Sequence, residues 1–172
     1  MNISIRKYKS TDATQFYEAV MESVDHVSRW LPWCTENYSF SDAQDWCNSA
    51  LTAWENDTDY RFIIEDNDTR AILGSVGFNQ IVKQHKIANL GYWIRKSAAG
   101  KGVCTTACRL AIDYAFSKLD IYRIEIHVHP ENTASNTVAS KLGVYEGTFR
   151  NKLVLHGKSV AAKCYSVIPG DI

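Results

Sequence analysis

The stretch from Lys86 to His129 constrains the fold most, because a helical pattern lies there between two strand patterns. KIANLGYWIR and IYRIEIHVH favour strands, and the segment between them, VCTTACRLAIDYAFSKL, places Val103, Ala107 and Tyr114 on one face of a helix. A strand, a helix and a second strand in this order form a right-handed crossover with two parallel strands. The chain therefore needs a sheet with at least one parallel pair.

The N-terminal third predicts one strand and two helices. NISIRKY alternates apolar and polar residues, as a strand does. A helical pattern runs from Thr11 to about Trp33, where Pro32 should end or bend it. SDAQDWCNSALTAWEN predicts a second helix with Ser41 as N-cap and two aspartates, Asp42 and Asp45, in its first turn.

The remaining segments predict mostly strands. DYRFIIED and AILGSVGFNQIV form a hairpin pattern. TASNTVASKLG predicts a short helix with Gly143 at its C-cap, and VYEGTFRN and LVLHGKSVAAKCYSVI predict a closing hairpin that turns at His156 to Lys158. This order of elements predicts an α/β protein with a sheet of mixed direction.

Composition limits the class of protein. Lys+Arg and Asp+Glu both number 19, so the net charge of zero argues against a broad basic surface for nucleic acid. MNISIRKYKS lacks the apolar core of a signal peptide, and no apolar run approaches the ~20 residues of a membrane span. Five irregularly spaced cysteines are typical of free thiols in a reducing compartment. We expect one cytoplasmic domain over residues 1–172.

The loop SAAGKG, between a predicted strand and a predicted helix, could hold an anion. Gly100 and Gly102 let the backbone approach a ligand closely, Lys101 adds a positive charge, and the amides of a helix N-terminus point at such a site. Neither GxxxxGK[ST] nor GxGxxG after the strand is present. By itself the loop suits a pyrophosphate or a plain turn equally well.

The flanks of this loop resemble a known family. GYWIRKSAAGKGVCTTACRLAIDYAF, followed one strand later by RIEIHVHPENTASNTVASKLGVYEGTFRN, is similar to the GNAT superfamily of acetyl-CoA-dependent N-acetyltransferases. YKSTDA and the RWLPW of Arg29 to Trp33 resemble its RimJ/RimL-type branch, whose members acetylate protein N-termini. The resemblance implies a mixed, mostly antiparallel sheet, splayed at a cofactor cleft and flanked by helices.

The resemblance also implies where acetyl-CoA binds. The strand ending at Arg95 would pair its backbone with the pantetheine arm, the amides of the glycine loop would hold the pyrophosphate, and Asn132 would lie beside the arm. The implied cofactor-binding residues are Trp93, Ile94, Arg95, Gly100, Lys101, Gly102, Val103, Cys104, Thr105 and Asn132. The loop departs from the family pattern at Ala99, where a polar side chain is usual, and at Cys104, which is bulkier than usual.

Acetyl transfer to an amine needs a neutral amine, a positioned thioester, an oxyanion donor and a proton for the leaving thiolate. The resemblance implies that a backbone amide between Tyr92 and Ile94 serves the oxyanion. Asn89 stands where many relatives carry a basic Glu, and Ala139 stands where many carry a proton-donating Tyr. The RimL-like branch offers a serine instead, here Ser135. Ser135 and Asn89 are therefore the candidate catalytic positions, although a local capping role would also explain Ser135.

The missing Glu bears on the acceptor. An α-amine with a pKa near ~7.8 is roughly one quarter neutral at cytosolic pH, whereas a lysine amine near ~10.4 is only ~0.1% neutral. A site with a weak base therefore favours a protein N-terminus, such as that of a ribosomal protein. Trp30, Trp33 and Tyr92 are predicted to line the acceptor cleft, while a core-anchoring role for the two tryptophans stays open.

Several alternatives remain at this point. The acceptor could be a small amine such as an aminoglycoside-like antibiotic, a polyamine or an aminoacyl compound. The chain could be an acyl-CoA-binding sensor without turnover, or a structural α/β domain with a chance glycine turn. A homodimer is an expectation from the family alone. No metal is expected, because His127 and His129 share a strand face without an evident third ligand, and Cys104 and Cys108 lack CxxC spacing.

Overall fold

A single seven-stranded sheet organises the computed structural model, which describes residues 2–171. The strands are β1 (Ile3–Lys7), β2 (Tyr60–Asp66), β3 (Ile72–Val82), β4 (Ile87–Ile94), β5 (Arg123–Val128), β6 (Val144–Leu155) and β7 (Lys158–Val167). The sheet order is β1-β2-β3-β4-β5-β7-β6, and every neighbouring pair is antiparallel except the parallel pair β4 and β5. This confirms the predicted mixed, mostly antiparallel sheet.

Helices cover both faces of the sheet. The α-helices are α1 (Ala13–Met21), α2 (Val24–Val27), α3 (Phe40–Glu55), α4 (Val103–Lys118) and α5 (Thr133–Ala139), and short 3-10 segments occur at Ser10–Asp12, Lys83–His85 and Lys96–Ala98. Because side chains alternate along a strand, Phe62 and Ile64 of β2 pack with α4, while Ile63 between them packs with α1 and α3. Two cores result, one on each face, and both are strongly apolar.

The first predicted helix, from Thr11 to about Trp33, is wrong as one continuous element. α1 ends at Met21, and α2 is a separate turn. At the break, the Ser23 hydroxyl donates to the carbonyl of Ala19 at 2.6 Å and accepts from the amide of Lys96 at 3.1 Å. Such side-chain bonds compete with the helix ladder. The end of α1 is thereby tied to the segment that follows β4.

The cap predicted at Ser41 is also wrong, because α3 begins two residues earlier. Ser39 is the N-cap: its hydroxyl accepts from the amide of Asp42 at 3.2 Å, and its own amide donates to the Asp42 carboxylate at 2.7 Å. This reciprocal pair is a capping box. Asp42 therefore lies in the first turn as predicted, whereas Asp45 lies beyond it.

Gly143 does not cap α5. The C-cap is Ser140, and the backbone of Gly143 is not left-handed. A Cβ at Gly143 would instead overlap the backbone carbonyl of Ser166 on β7. Glycine is required there because the chain passes close to β7, and not because of a turn. The closing hairpin itself is confirmed, with β6 and β7 joined at His156 and Gly157.

Candidate active site

The parallel strands β4 and β5 separate after a short paired region. They pair only at Ile87 with Arg123, Ala88 with Ile124 and Asn89 with Glu125. Beyond Asn89, β4 continues to Ile94 paired with β3 alone, while the rest of β5 pairs with β7. The sheet is therefore open between β4 and β5 over the second half of each strand.

The open edge of β4 presents backbone groups that do not pair with β3, and one of them, the carbonyl of Ile94, is bonded to His26. The amide of Arg95 donates to the carbonyl of Leu73 at 2.7 Å, and the carbonyl of Trp93 faces Gly74 on β3. Since successive residues of a strand point their backbone groups to opposite sides, those of Tyr92 and Ile94 face the opening. The carbonyl of Ile94 lies there, 3.1 Å from Nε2 of His26. An extended ligand arm could pair with this edge.

The glycine loop ends directly at the N-terminus of α4. Gly100 and Gly102 have φ of 74° and 77°, in the left-handed region that favours glycine, and the space beside each is open. Gly102 is the N-cap of α4, and no side chain caps its first amides. Those amides are free donors at the positive end of the helix dipole. The loop thus has the features of an anion site and not only those of a turn.

Glu22, the C-cap of α1, fixes the segment that leads into this loop. The Glu22 carboxylate accepts from Nε of Arg95 at 2.5 Å and from the amide of Ser97 at 2.8 Å. Burial pushes the pKa of Glu22 up, but the hydrogen bonds from Ser97 and Arg95 outweigh it, so the pKa lies below its usual value. The side chain of Lys101 turns toward Ser97, and its Nζ donates to the carbonyl of Ser97 at 2.7 Å.

Tyr92 and Ser135 meet at the open end of the cleft. The Tyr92 hydroxyl lies 3.0 Å from Oγ of Ser135 and donates to its carbonyl at 3.2 Å. Asn132 is the N-cap of α5, and its Oδ1 accepts from the amide of Ser135 at 3.1 Å. Burial raises the pKa of Tyr92 well above its usual range, so the phenol keeps its proton. The sequence placed Tyr92 with the acceptor, and its contact with Ser135 was not foreseen.

Asn89 lies at the point where the two strands part. Its Nδ2 donates to Oδ1 of Asn79 at 2.9 Å, and its own Oδ1 is buried without a hydrogen-bond partner among residues 2–171. Glu125 is its register partner on β5, so both side chains project from the same face of the sheet. His127 follows two residues later, also on that face. Sequence reasoning missed Glu125 in this place, because nothing local signals a cross-strand neighbour.

Aromatic side chains lie on the other side of the cleft from Tyr92 and Ser135. The rings of Trp30 and His129 contact at a tilt of 39° with centroids 5.3 Å apart, and the ring of Trp33 lies 6.0 Å from those of both Trp46 and Trp93. Trp33 is 37% exposed, so it combines core packing with a free ring surface. The acceptor-lining role of Trp30 and Trp33 stays a prediction.

The structure brings only part of the predicted set to the cleft. Tyr92, Ile94, the glycine loop and the pair formed by Asn132 and Ser135 surround the opening. Trp93 is buried on the other face against Phe16 and Trp33, and the Arg95 amide is used by β3. Their assignment to the cofactor stays a prediction, as do those of Val103, Cys104 and Thr105 in the first turn of α4.

A sheet that opens between two parallel strands beside the uncapped end of a helix agrees with the cofactor cleft that the GNAT resemblance implies. Residues 2–144 match the Acetyltransferase (GNAT) domain family. The chain therefore belongs to this family and is a GNAT N-acetyltransferase.

Related proteins agree with this membership. The chain is 26% identical to the putative ribosomal N-acetyltransferase YdaF of Bacillus subtilis (strain 168), over 97% of this chain and 91% of YdaF. It is 30% identical to the probable N-acetyltransferase YjcK of the same organism, over 90% and 87%. A shorter match, 31% identical over 57% and 52%, is to the spermidine N(1)-acetyltransferase of Escherichia coli (strain K12).

Solved structures confirm the fold. RimL, the ribosomal L7/L12 alpha-N-protein acetyltransferase in complex with coenzyme A, superposes with a TM-score of 0.88 at 20% identity, over 98% of this chain and 94% of RimL. The predicted GNAT fold and the resemblance to RimJ/RimL-type enzymes are thus confirmed. None of the helices within residues 2–171 is long and apolar enough to cross a membrane.

Proposed function

We propose that this enzyme transfers the acetyl group of acetyl-CoA directly to the α-amine of a protein N-terminus. The observation that carries the cofactor assignment is the opening of the sheet after Asn89, next to the uncapped N-terminus of α4. A pyrophosphate suits the free amides from Gly100 to Thr105, and a pantetheine arm suits the open edge at Tyr92 and Ile94. The coenzyme A bound to RimL is consistent with this assignment.

In this proposal acetyl-CoA supplies the acetyl group as a thioester, and the chain supplies positioning and protons. A backbone amide on the open edge of β4 donates to the oxygen on which charge develops. Tyr92 holds a proton 3.0 Å from Oγ of Ser135, so the pair can deliver it to the departing sulfur. The amine nitrogen forms its bond to the acetyl carbon, the carbon–sulfur bond breaks, the surplus amine proton leaves to water, and the Tyr92–Ser135 pair regains a proton from water.

The choice of an α-amine follows from Asn89. An amide cannot take up a proton at neutral pH, so an acceptor that is already partly neutral reacts more readily. The exposed ring of Trp33 and the ring of Trp30, which contacts His129, offer apolar surface for a peptide near the opening. The names of YdaF and RimL support a ribosomal protein as the acceptor. The proposal treats residues 1–172 as one domain, since its strands share one sheet.

A peptide panel tests this proposal. Thiol release from acetyl-CoA is measured with peptides of one sequence in three forms: a free N-terminus with blocked lysine, a blocked N-terminus with free lysine, and both blocked. We expect release only with the free N-terminus. Release that follows the lysine form would refute the α-amine assignment, and cofactor binding without release in any form would favour a sensor.

A polyamine is the second candidate acceptor, and the match to the E. coli spermidine N(1)-acetyltransferase favours it. The match covers only 57% of this chain, so it bears on part of the fold. Spermidine added to the same assay separates the two candidates. Turnover with spermidine that exceeds turnover with the free N-terminus would make the polyamine the preferred acceptor.

A further inference from the structure

Three potential metal ligands meet on the sheet face that carries Asn89. Glu125 and His127 lie two residues apart on β5, and Cys164 lies directly across from His127 on β7. One carboxylate oxygen, one imidazole nitrogen and the thiol sulfur all lie within 4.8 Å of one another. Oε2 of Glu125 and Nε2 of His127 are already 3.1 Å apart. Bonds of about 2.0–2.3 Å to zinc place tetrahedral ligand atoms roughly 3.5 Å apart, so small side-chain rotations would close the set.

The imidazole is buried and lacks a partner. The side chain of His127 is 4% exposed, and its Nε2 makes no hydrogen bond of accepted geometry within residues 2–171, while Oε2 of Glu125 lies 3.1 Å away as an ion-pair partner. Oδ1 of Asn89, on the same face, is a second buried atom without a partner in that range. Buried polar atoms are normally paired with protein, water or a bound group. An unpaired buried imidazole nitrogen beside a carboxylate and a thiol indicates a bound group, and a cation would accept its lone pair.

Charged side chains next to the cluster leave one oxygen of Glu125 available to a divalent ion. Arg123 donates to Oε1 of Glu125 at 3.1 Å and to Glu146, which leaves Oε2 of Glu125 facing His127. Lys152 is a further positive group that acts on His127. A bound metal would displace the thiol proton of Cys164 to solvent. The resulting thiolate would offset one charge of the ion, and Oε2 of Glu125, the oxygen that Arg123 does not bind, would be free to ligate it.

The donor atoms select the kind of metal. A set of imidazole nitrogen, thiolate sulfur and carboxylate oxygen suits zinc, whereas magnesium and calcium prefer oxygen ligands alone. Three protein ligands leave a fourth position for water. Glu125 is 22% exposed and gives the ion a path from solvent. The sequence showed only His127 and His129 together, because the other two ligands become neighbours of His127 through the sheet.

We propose that Glu125, His127 and Cys164 form a zinc-binding site on the sheet face beside Asn89. The site lies where β4 and β5 part, so an ion bound there would limit the approach of an acceptor amine and slow acetyl transfer. This inhibitory effect rests on the proposed function, whereas zinc binding itself does not.

Cobalt(II) absorption tests the site without reference to activity. The reduced, chelator-treated full-length protein is titrated with Co²⁺ and then with Zn²⁺. We expect one equivalent of Co²⁺ to give a thiolate charge-transfer band with the visible bands of four-coordinate cobalt, and Zn²⁺ to remove both. Cys164→Ala should abolish the charge-transfer band, and His127→Gln and Glu125→Gln should each weaken Zn²⁺ binding by about tenfold or more, since even outer-shell changes cost that much.

Cys47→Ala is the matched control, because Cys47 and Cys164 are both fully buried and lie in different parts of the fold. It should keep the band and the affinity. No thiolate band in the parent protein would overturn the proposal, as would a band that survives Cys164→Ala and disappears in Cys104→Ala or Cys108→Ala. If Cys164→Ala does not fold, His127→Gln decides alone. Zinc binding without slower thiol release would refute only the inhibitory effect.

Discussion

Replacing Gly102 by alanine tests the anion site most directly. Gly102 has φ of 77° with open space beside it, so alanine meets no clash and its cost comes from the backbone alone. A left-handed alanine costs about 1–2 kcal/mol. Relief of that strain would rotate the amides at the start of α4 away from the pyrophosphate position. Loss of one hydrogen bond to a charged group costs about 1.5–3 kcal/mol, which is roughly a 10- to 150-fold weaker affinity for acetyl-CoA.

Gly157→Ala supplies the matched control. Gly157 has φ of 76°, equally open space, and a place in the turn between β6 and β7 instead of the loop. Both variants should lower the melting temperature by a similar amount, about 2–8 °C for a protein of this size. Only Gly102→Ala should weaken acetyl-CoA binding in calorimetry. Equal loss of affinity in both variants, or unchanged affinity in Gly102→Ala, would refute the assignment of the loop.

Three further predictions concern other contacts. Tyr92→Phe and Ser135→Ala should each lower kcat by about 100-fold, within the usual range for proton transfer, with little change in the KM for acetyl-CoA. Because burial raises the pKa of Tyr92, the pH profile of kcat in the parent should show no loss of this proton up to pH 10. Glu22→Gln should raise the KM for acetyl-CoA by freeing Arg95 and Ser97. Since the pKa of Glu22 is lowered in the folded state, its stabilising effect is present above the unfolded pKa of about 4.3 and is lost as pH falls through the folded pKa. Melting curves of parent and variant from pH 6 downward would show this loss. Gly143→Ala should destabilise by about 1–3 kcal/mol through overlap with the carbonyl of Ser166, and urea unfolding that shows no loss would refute the close approach of Gly143 to β7.

Local patterns were sufficient for most of the secondary structure, because alternation and helical periodicity report which face of an element is buried. They failed where a distant contact decides the outcome. The break at Ser23 depends on Lys96, and Gly143 is required by the carbonyl of Ser166. The N-cap at Ser39 was missed although Ser39 and Asp42 have capping-box spacing, since Ser41 has the same residue type nearer the apolar stripe.

The candidate site, like the fold, could be predicted from the sequence only in part. The glycine loop is contiguous in the chain, so its position before α4 could be predicted from the sequence. The contact between Tyr92 and Ser135 joins residues that are 43 positions apart, and the cluster of Glu125 and Cys164 depends on strand register. Strand order and register are properties of the assembled sheet, and no single segment encodes them.

The open edge of β4 would couple the stability of the fold to the concentration of acetyl-CoA. An arm that pairs with Tyr92 and Ile94 would act as a guest strand between β4 and β5, so the cofactor would complete the sheet. A ligand that binds only the folded chain adds about 2.7 kcal/mol of stability at a concentration 100 times its Kd. The resistance of this protein to unfolding would then rise and fall with the supply of acetyl-CoA, and its abundance in a cell would follow nutrient state without any change in its synthesis.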